Sequence, residues 1–111
     1  MRSEKQRIAE TESLFREVNE RIAETAEHFD ADEVDFQCEC ADVACHERLG
    51  APLAEYETVR KYPTRFLVAR GHERPPVERV VAERHGYAIV EKIDDAVAHI
   101  VRNLDPRTEP T

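Results

Sequence analysis

Three cysteines fall within eight residues, in Cys38-Glu-Cys40-Ala-Asp-Val-Ala-Cys45, and the chain has no others. Thiolates are soft donors that select zinc or an iron–sulfur cluster over hard cations such as magnesium or calcium. Residues two apart project to one side only when the backbone is extended; on a helix they diverge by about 200°. Phe36-Gln-Cys-Glu-Cys40 therefore predicts a strand end that presents two sulfurs together. The residues Ala41 to Ala44 leave room for a turn that brings Cys45 back beside them.

A closed zinc site needs a fourth donor. His72, in Arg70-Gly71-His72-Glu73, follows a predicted strand, and Gly71 permits the sharp turn needed to aim it; it is the preferred ligand. His46, next to Cys45, is the rival, although on a helix neighbours point about 100° apart and could not share one ion. His85 falls in a predicted hairpin turn, and His28 and His99 on helix surfaces. The expected metal set is Cys38, Cys40, Cys45 and His72, holding Zn²⁺, with an iron–sulfur cluster as the alternative.

The charge around the cysteines argues the same way. Residues 31–50 carry six acids (Asp32, Glu33, Asp35, Glu39, Asp42, Glu47) against the single base Arg48. A reactive free thiolate needs nearby positive charge or a helix N-terminus, whereas Glu39, Asp42 and Glu47 would raise thiol pKa values. A divalent cation reverses that balance and deprotonates the thiols outright. Cysteine also serves as a small core residue, but three thiols packed around Glu39 make a poor core pattern.

Enzyme signatures are few. Serine occurs only at Ser3 and Ser13, and three glycines cannot build a glycine-rich phosphate cradle. His-Glu-x-x-His and the His-x-Glu with Pro-Cys-x-x-Cys pattern of zinc deaminases are both absent. Glu55 and Glu57 cannot face one another on a helix, and Asp94-Asp95 reads as a helix cap. No catalytic residue is assigned. The expected role is a non-enzymatic interaction or regulatory module with a mainly structural metal. The alternatives are a zinc-thiolate redox sensor and a metalloenzyme with an open metal position.

The elements that must position these residues read as one α+β domain of 111 residues. An amphipathic helix from about residue 4 to 29 carries Ile8, Phe15, Ile22 and Phe29 at seven-residue intervals, with Leu14, Val18 and Ala26 beside them and charged side chains on the other faces. Residues 30–104 form the core containing the Cys loop. Within it, Leu49-Gly-Ala-Pro52 reads as a turn, and a helix runs from Pro52 to about Tyr62, stopped by Pro63. A small antiparallel sheet of about three strands follows: Arg65–Ala69, Val77–Arg84 and Tyr87–Ile93, the last two joined across His85-Gly86. A short helix over Ala96–Leu104 and a loose tail at 105–111 complete the chain.

The formal charge of −8, from 24 acidic and 16 basic residues, disfavours whole-surface binding to nucleic acid or anionic membrane. One basic stretch, Arg60 to Arg84, has seven bases against three acids and is the only candidate contact for nucleic acid or an acidic partner. The apolar stripe of the first helix could instead meet a protein partner or a second copy in a homodimer. No apolar run reaches the roughly 20 residues of a membrane span, and the charged N-terminus lacks a signal-peptide core. Three clustered cysteines suit a reducing, cytoplasmic setting rather than a disulfide framework.

Leu14-Phe-Arg-Glu-Val-Asn-Glu-Arg-Ile22, Phe36-x-Cys-Glu-Cys-x4-Cys45, Leu53-Ala-Glu-Tyr-Glu-x-Val-Arg60 and Gly71-His-Glu together resemble a family of short uncharacterised bacterial proteins, chiefly actinobacterial. The resemblance spans most of residues 13–93. It implies that Cys38, Cys40, Cys45 and His72 act as one unit, and it implies no activity.

Overall fold

The computed structural model describes residues 2–107. The chain opens with helix α1 (Glu4–His28), capped by Ser3, whose Oγ accepts from the Gln6 amide at 3.1 Å. The helix stops in a left-handed turn at Asp30 (φ 54°), where the Ala31 amide donates back to the Ala26 carbonyl at 2.9 Å and that of Asp30 to Glu27 at 3.1 Å. This is a Schellman ending with aspartate where glycine is usual.

Strands β1 (Glu33–Gln37) and β2 (Arg48–Pro52) pair antiparallel as a hairpin whose long loop contains all three cysteines. Helix α2 (Leu53–Val59) leads to β3 (Arg65–Val68), then β4 (Glu78–Arg84), β5 (Tyr87–Lys92) and helix α3 (Asp95–Asn103). The second sheet is antiparallel in the order β3-β5-β4. Val81 is bulged out between the pairs Val80–Val90 and Ala82–Ile89. Gly86 takes the positive φ (91°) that the β4–β5 turn requires, and the Asp94 carboxylate caps α3 by accepting from the Val97 amide. The class is the expected α+β.

Several boundaries differ from the sequence reading. The described residues hold two small sheets, of two and three strands, rather than one of about three. Leu49-Gly-Ala-Pro52, read as a turn, is strand β2. Its Leu49 and Ala51 are buried against the core, and Pro52, at the strand end, gives up no ladder hydrogen bond there. Glycine and proline signal a turn only locally; the partner strand β1 decides otherwise. Helix α2 ends at Val59, short of Tyr62. The C-terminal residues 105–107, expected to be loose, are tied down: Asp105 is buried on Arg60, and Arg107 bridges Glu20 and Glu57. Residues 108–111 of that tail lie outside the described residues.

The largest difference concerns which face of α1 is covered. Ile8, Phe15 and Ala26 are buried as the heptad pattern requires, but Leu14, Val18 and Phe29 are exposed, Phe29 at 74 %. The buried side instead includes Glu12, Arg16, Asn19 and Glu20. Charges inside a protein need partners, and all of these but Glu12 have well-aligned ones. Arg16 donates to the carbonyls of Pro63 and Val101 at 2.7 Å, and its guanidinium lies 4.7 Å from the Phe66 ring centroid. Arg60 Nε is 2.5 Å from Glu20. The Lys92 side chain is wholly buried, with its Nζ paired to Glu78, 2.7 Å from Glu12 and 4.7 Å from the Phe66 centroid.

Glu12 is the uneasy member of that group. Lys92 lies close, but neither Glu12 oxygen receives an aligned hydrogen bond. Burial pushes its carboxyl up from 4.5 to about 8, Lys92 pulling it down and Glu78 adding to the rise. The native state therefore holds a proton that the unfolded chain releases. The resulting stability is full at low pH and is lost as pH rises toward about 8. Glu12→Gln keeps an acceptor for Lys92 and abolishes this loss. Calorimetric melting of both proteins should show the variant gaining on the wild type steadily between about pH 5 and 8. A gap independent of pH would rule this account out.

Candidate metal centre

The Cys segment runs along the free edge of β3. The Glu39 amide donates to the Leu67 carbonyl at 2.8 Å, and the Leu67 amide donates to Glu39 Oε1 at 2.8 Å. Two residues further along the chain, the Ala69 amide donates to Cys38 Sγ at 3.1 Å. An open strand edge is thus satisfied partly by a backbone amide, partly by a carboxylate and partly by a sulfur. On the other side Asn19 of α1 grips Gln37: its amide nitrogen donates to the Gln37 carbonyl at 2.8 Å and its oxygen accepts from the Gln37 amide at 2.8 Å. The same nitrogen donates to Glu39 Oε2 at 2.9 Å.

These contacts fix where the sulfurs point. With Glu39 turned inward to Asn19 and Leu67, Cys38 and Cys40 face away from it toward the loop, the alternation an extended segment imposes. The loop closes through the Cys45 amide donating to the Asp42 carbonyl at 2.9 Å, with Asp42 Oδ1 accepting from the Ala44 amide at 3.0 Å. The Gln37 side chain donates to the carbonyls of Cys38 and Cys45, at 3.0 Å each, and so pins both ends of the loop together.

His72 arrives from the other sheet. Its amide donates to the Ala69 carbonyl at 3.0 Å across a turn in which Gly71 has φ 89°, a conformation that suits glycine. His72 Nδ1 lies 3.5 Å from Cys38 Sγ and 3.7 Å from Cys45 Sγ. The donor atoms of Cys38, Cys40, Cys45 and His72 all fall within 4.8 Å of one another, and together they could hold a metal ion. The three cysteines are buried, none is in a disulfide, and His72 is the least buried of the four.

The thiols are electrostatically unbalanced as they stand. Cys40 is lowered to about 5, chiefly by a hydrogen bond from Cys38, with help from the Asp42 backbone. Cys38 is driven up by that same hydrogen bond and by burial, against the pull of the Ala69 amide. Cys45 is raised by burial, opposed by a backbone hydrogen bond from Glu47. The neighbouring sulfurs and desolvation set these values, not the acids Glu39, Asp42 and Glu47 that the sequence suggested. Each sulfur nonetheless has a backbone amide that favours its anion.

The other histidines stay outside the cluster. Residues 41–47 form turns rather than a helix, and His46 is exposed on the wall of an adjoining cavity. His85 is exposed in the β4–β5 turn, and His28 and His99 are exposed on their helices. Of the basic stretch, Arg60 is buried, while Arg65, Arg70 and Arg84 face Glu91, Glu83 and Glu55. The sequence reading passed over Asn19, Gln37 and the carboxylate of Glu39 as supports. The period of α1 held a faint signal for Asn19, which lies one turn from Phe15 on the covered side.

Comparison with protein-family models, curated proteins and solved structures yields no match. Among the described residues, no helix is long and apolar enough to cross a membrane.

Asn19→Ala would leave the Gln37 amide and carbonyl and one Glu39 oxygen without a partner in the interior. The expected loss is about 2–4 kcal/mol in urea denaturation. Glu17→Ala, on the exposed side of the same helix, should be nearly neutral. A loss below 1 kcal/mol for Asn19→Ala would show that water replaces its hydrogen bonds.

Proposed function

We propose that this protein is a small zinc-stabilised interaction or regulatory module whose Cys38, Cys40, Cys45 and His72 side chains close around one mononuclear, structural ion. The observation carrying this reading is the set of donor spacings. Tetrahedral zinc, with bonds of about 2.3 Å to sulfur and 2.0–2.1 Å to nitrogen, separates its sulfur and nitrogen ligands by about 3.5 Å; His72 Nδ1 stands at 3.5 and 3.7 Å from two of the sulfurs. A polynuclear iron–sulfur cluster would place an inorganic core between its thiolates. Convergence of every donor within 4.8 Å favours a single ion.

The ligands come from the β1–β2 hairpin loop and from the turn after β3, so one ion would join the two sheets. That geometry supports a structural role, because binding free energy is then folding free energy. The interaction role rests on the outward side of α1: Leu14 is 54 % exposed and lines a shallow groove with Val43, itself 70 % exposed and placed between Cys40 and Cys45. A protein partner seated there would contact the metal loop directly. The thiolates imply a reducing compartment. The resemblance stated above fits the same unit of four ligands.

Elemental mass spectrometry of untagged protein is expected to give one zinc per chain and no visible absorption. Chelation should abolish the cooperative melt of at least the β1–β2 hairpin. Zinc-finger sites contribute an apparent ~10–16 kcal/mol, as much as the whole net stability of a domain. His72→Ala is expected to weaken zinc binding by more than tenfold in a chelator competition. Full retention by that variant would remove His72 from the site, and protein carrying iron or no metal would overturn the reading.

A further inference from the structure

The four ligands are not equally guarded. Cys38 is fully buried, Cys40 is 2 % exposed and Cys45 8 %. Cys38 lies behind His72, with the Ala69 amide on its sulfur. Cys45 and His72 instead form part of the wall of an open cavity of about 400 Å³ that also includes Asp42, His46, Glu47 and Arg48. A second, smaller cavity of about 200 Å³ reaches Cys40 and His72 from the side of Arg74. The loop from Cys40 to Cys45 contributes no strand pairing; turn hydrogen bonds close it, and the Gln37 side chain holds its end at the Cys45 carbonyl.

From this asymmetry, and resting on the zinc reading above, we propose that Cys45 is the point at which a small hydroperoxide opens the site, with Cys40 as the resolving thiolate. The Cys45 sulfur attacks the distal peroxide oxygen; the O–O bond breaks, an S–O bond forms, and the leaving alkoxide or hydroxide takes a proton from water. The Cys40 sulfur then attacks the sulfenic sulfur, forming the disulfide and expelling hydroxide, which also becomes water. Two thiolates lose two electrons and the peroxide gains them. Zinc changes no oxidation state and leaves because two of its four bonds are gone.

The cavity suits that reagent. Arg48 and His46 supply N–H donors to a departing oxygen, while Asp42 and Glu47 on the same wall disfavour an anionic electrophile. Cys38 is excluded from the first step because it is fully buried, with the Ala69 amide on its sulfur. It is excluded from the second because it belongs to the edge of β3, whereas Cys40 and Cys45 bound one short loop. Opening would leave Cys38 and His72 in place and free Val43, in the middle of that loop.

The test uses the full chain with its zinc content measured first. Zinc-loaded protein is treated with a stoichiometric series of hydrogen peroxide, zinc release is followed with a chromogenic chelator, and a sulfenic-acid trap with peptide mass mapping locates the modified sulfur. The expected first adduct is on Cys45, followed without the trap by a Cys40–Cys45 disulfide and one zinc released per disulfide. Arg48→Gln, which alters no ligand, should slow release by about tenfold, the worth of one charge-assisted hydrogen bond. Zinc present at one per chain with first labelling on Cys38, or evenly over the three cysteines, would overturn this inference and leave the structural site standing. Protein containing no zinc would overturn both.

Discussion

A carboxylate taken wholly out of water must be given hydrogen-bond donors, and the way Glu39 is given them organises much of this molecule. Its two oxygens are held by Leu67 on β3 and Asn19 on α1, and its backbone amide pairs with Leu67 again. Three elements distant in sequence are thus joined through one side chain. Since Glu39 lies between Cys38 and Cys40, pinning it inward turns both neighbouring sulfurs to the opposite side, toward the loop that ends at Cys45. Burial pushes the Glu39 carboxyl upward, while Asn19, the Leu67 amide, Arg16 and Arg60 pull it back. A hydrophobic residue there could fill the space, but it could not fix the register of the Cys segment on the edge of β3.

The same logic explains why the interior carries so many charges for so small a chain. Removing ions from water costs several kcal/mol each, and their mutual attraction recovers this only with good geometry. Buried pairs such as Arg60 with Glu20 and Asp105, or Lys92 with Glu12 and Glu78, therefore add modest net stability. They specify instead: each cation on one element accepts only the carboxylates that the correct packing delivers. A core built this way gains its uniqueness from polar matching and has little apolar surplus, which is where an ion joining the two sheets would matter most.

Much of the site was legible because its constraints are local. Two sulfurs spaced Cys-x-Cys project to one side only from extended backbone, and a glycine before His72 signals a turn without help from the rest of the chain. The same holds for the Asp94 cap and the Gly86 hairpin. Strand β2 was hidden because Gly50 and Pro52 carry turn signals that only the pairing with β1 overrides. The buried face of α1 was hidden for a related reason. Glu12, Arg16, Asn19 and Glu20 read as solvent-facing until Lys92, the Pro63 and Val101 carbonyls, Gln37 with Glu39, and Arg60 respectively are known to meet them; the Asn19 contacts reach the supports of the Cys loop, and the Glu20–Arg60 pair reaches the C-terminal segment through Asp105.

Those hidden contacts change what the three cysteines are. Taken alone, a Cys-x-Cys-x4-Cys run on an acidic loop is a flexible chelator that any soft ion could fold around. Here the loop enters and leaves through Gln37, whose side chain binds both ends, and Gln37 is itself gripped on its backbone by Asn19. Both ends of the loop are held through their carbonyls, but the sulfurs differ: Cys38 is fully buried with a fixed amide donor on its sulfur, and Cys45 borders an open cavity. Exposure therefore rises along the loop from Cys38 to Cys45. A site graded in this way is fixed at both ends by the fold and accessible at one, so an ion held there would be approached from the Cys45 side, on the loop that carries the exposed Val43 beside Leu14.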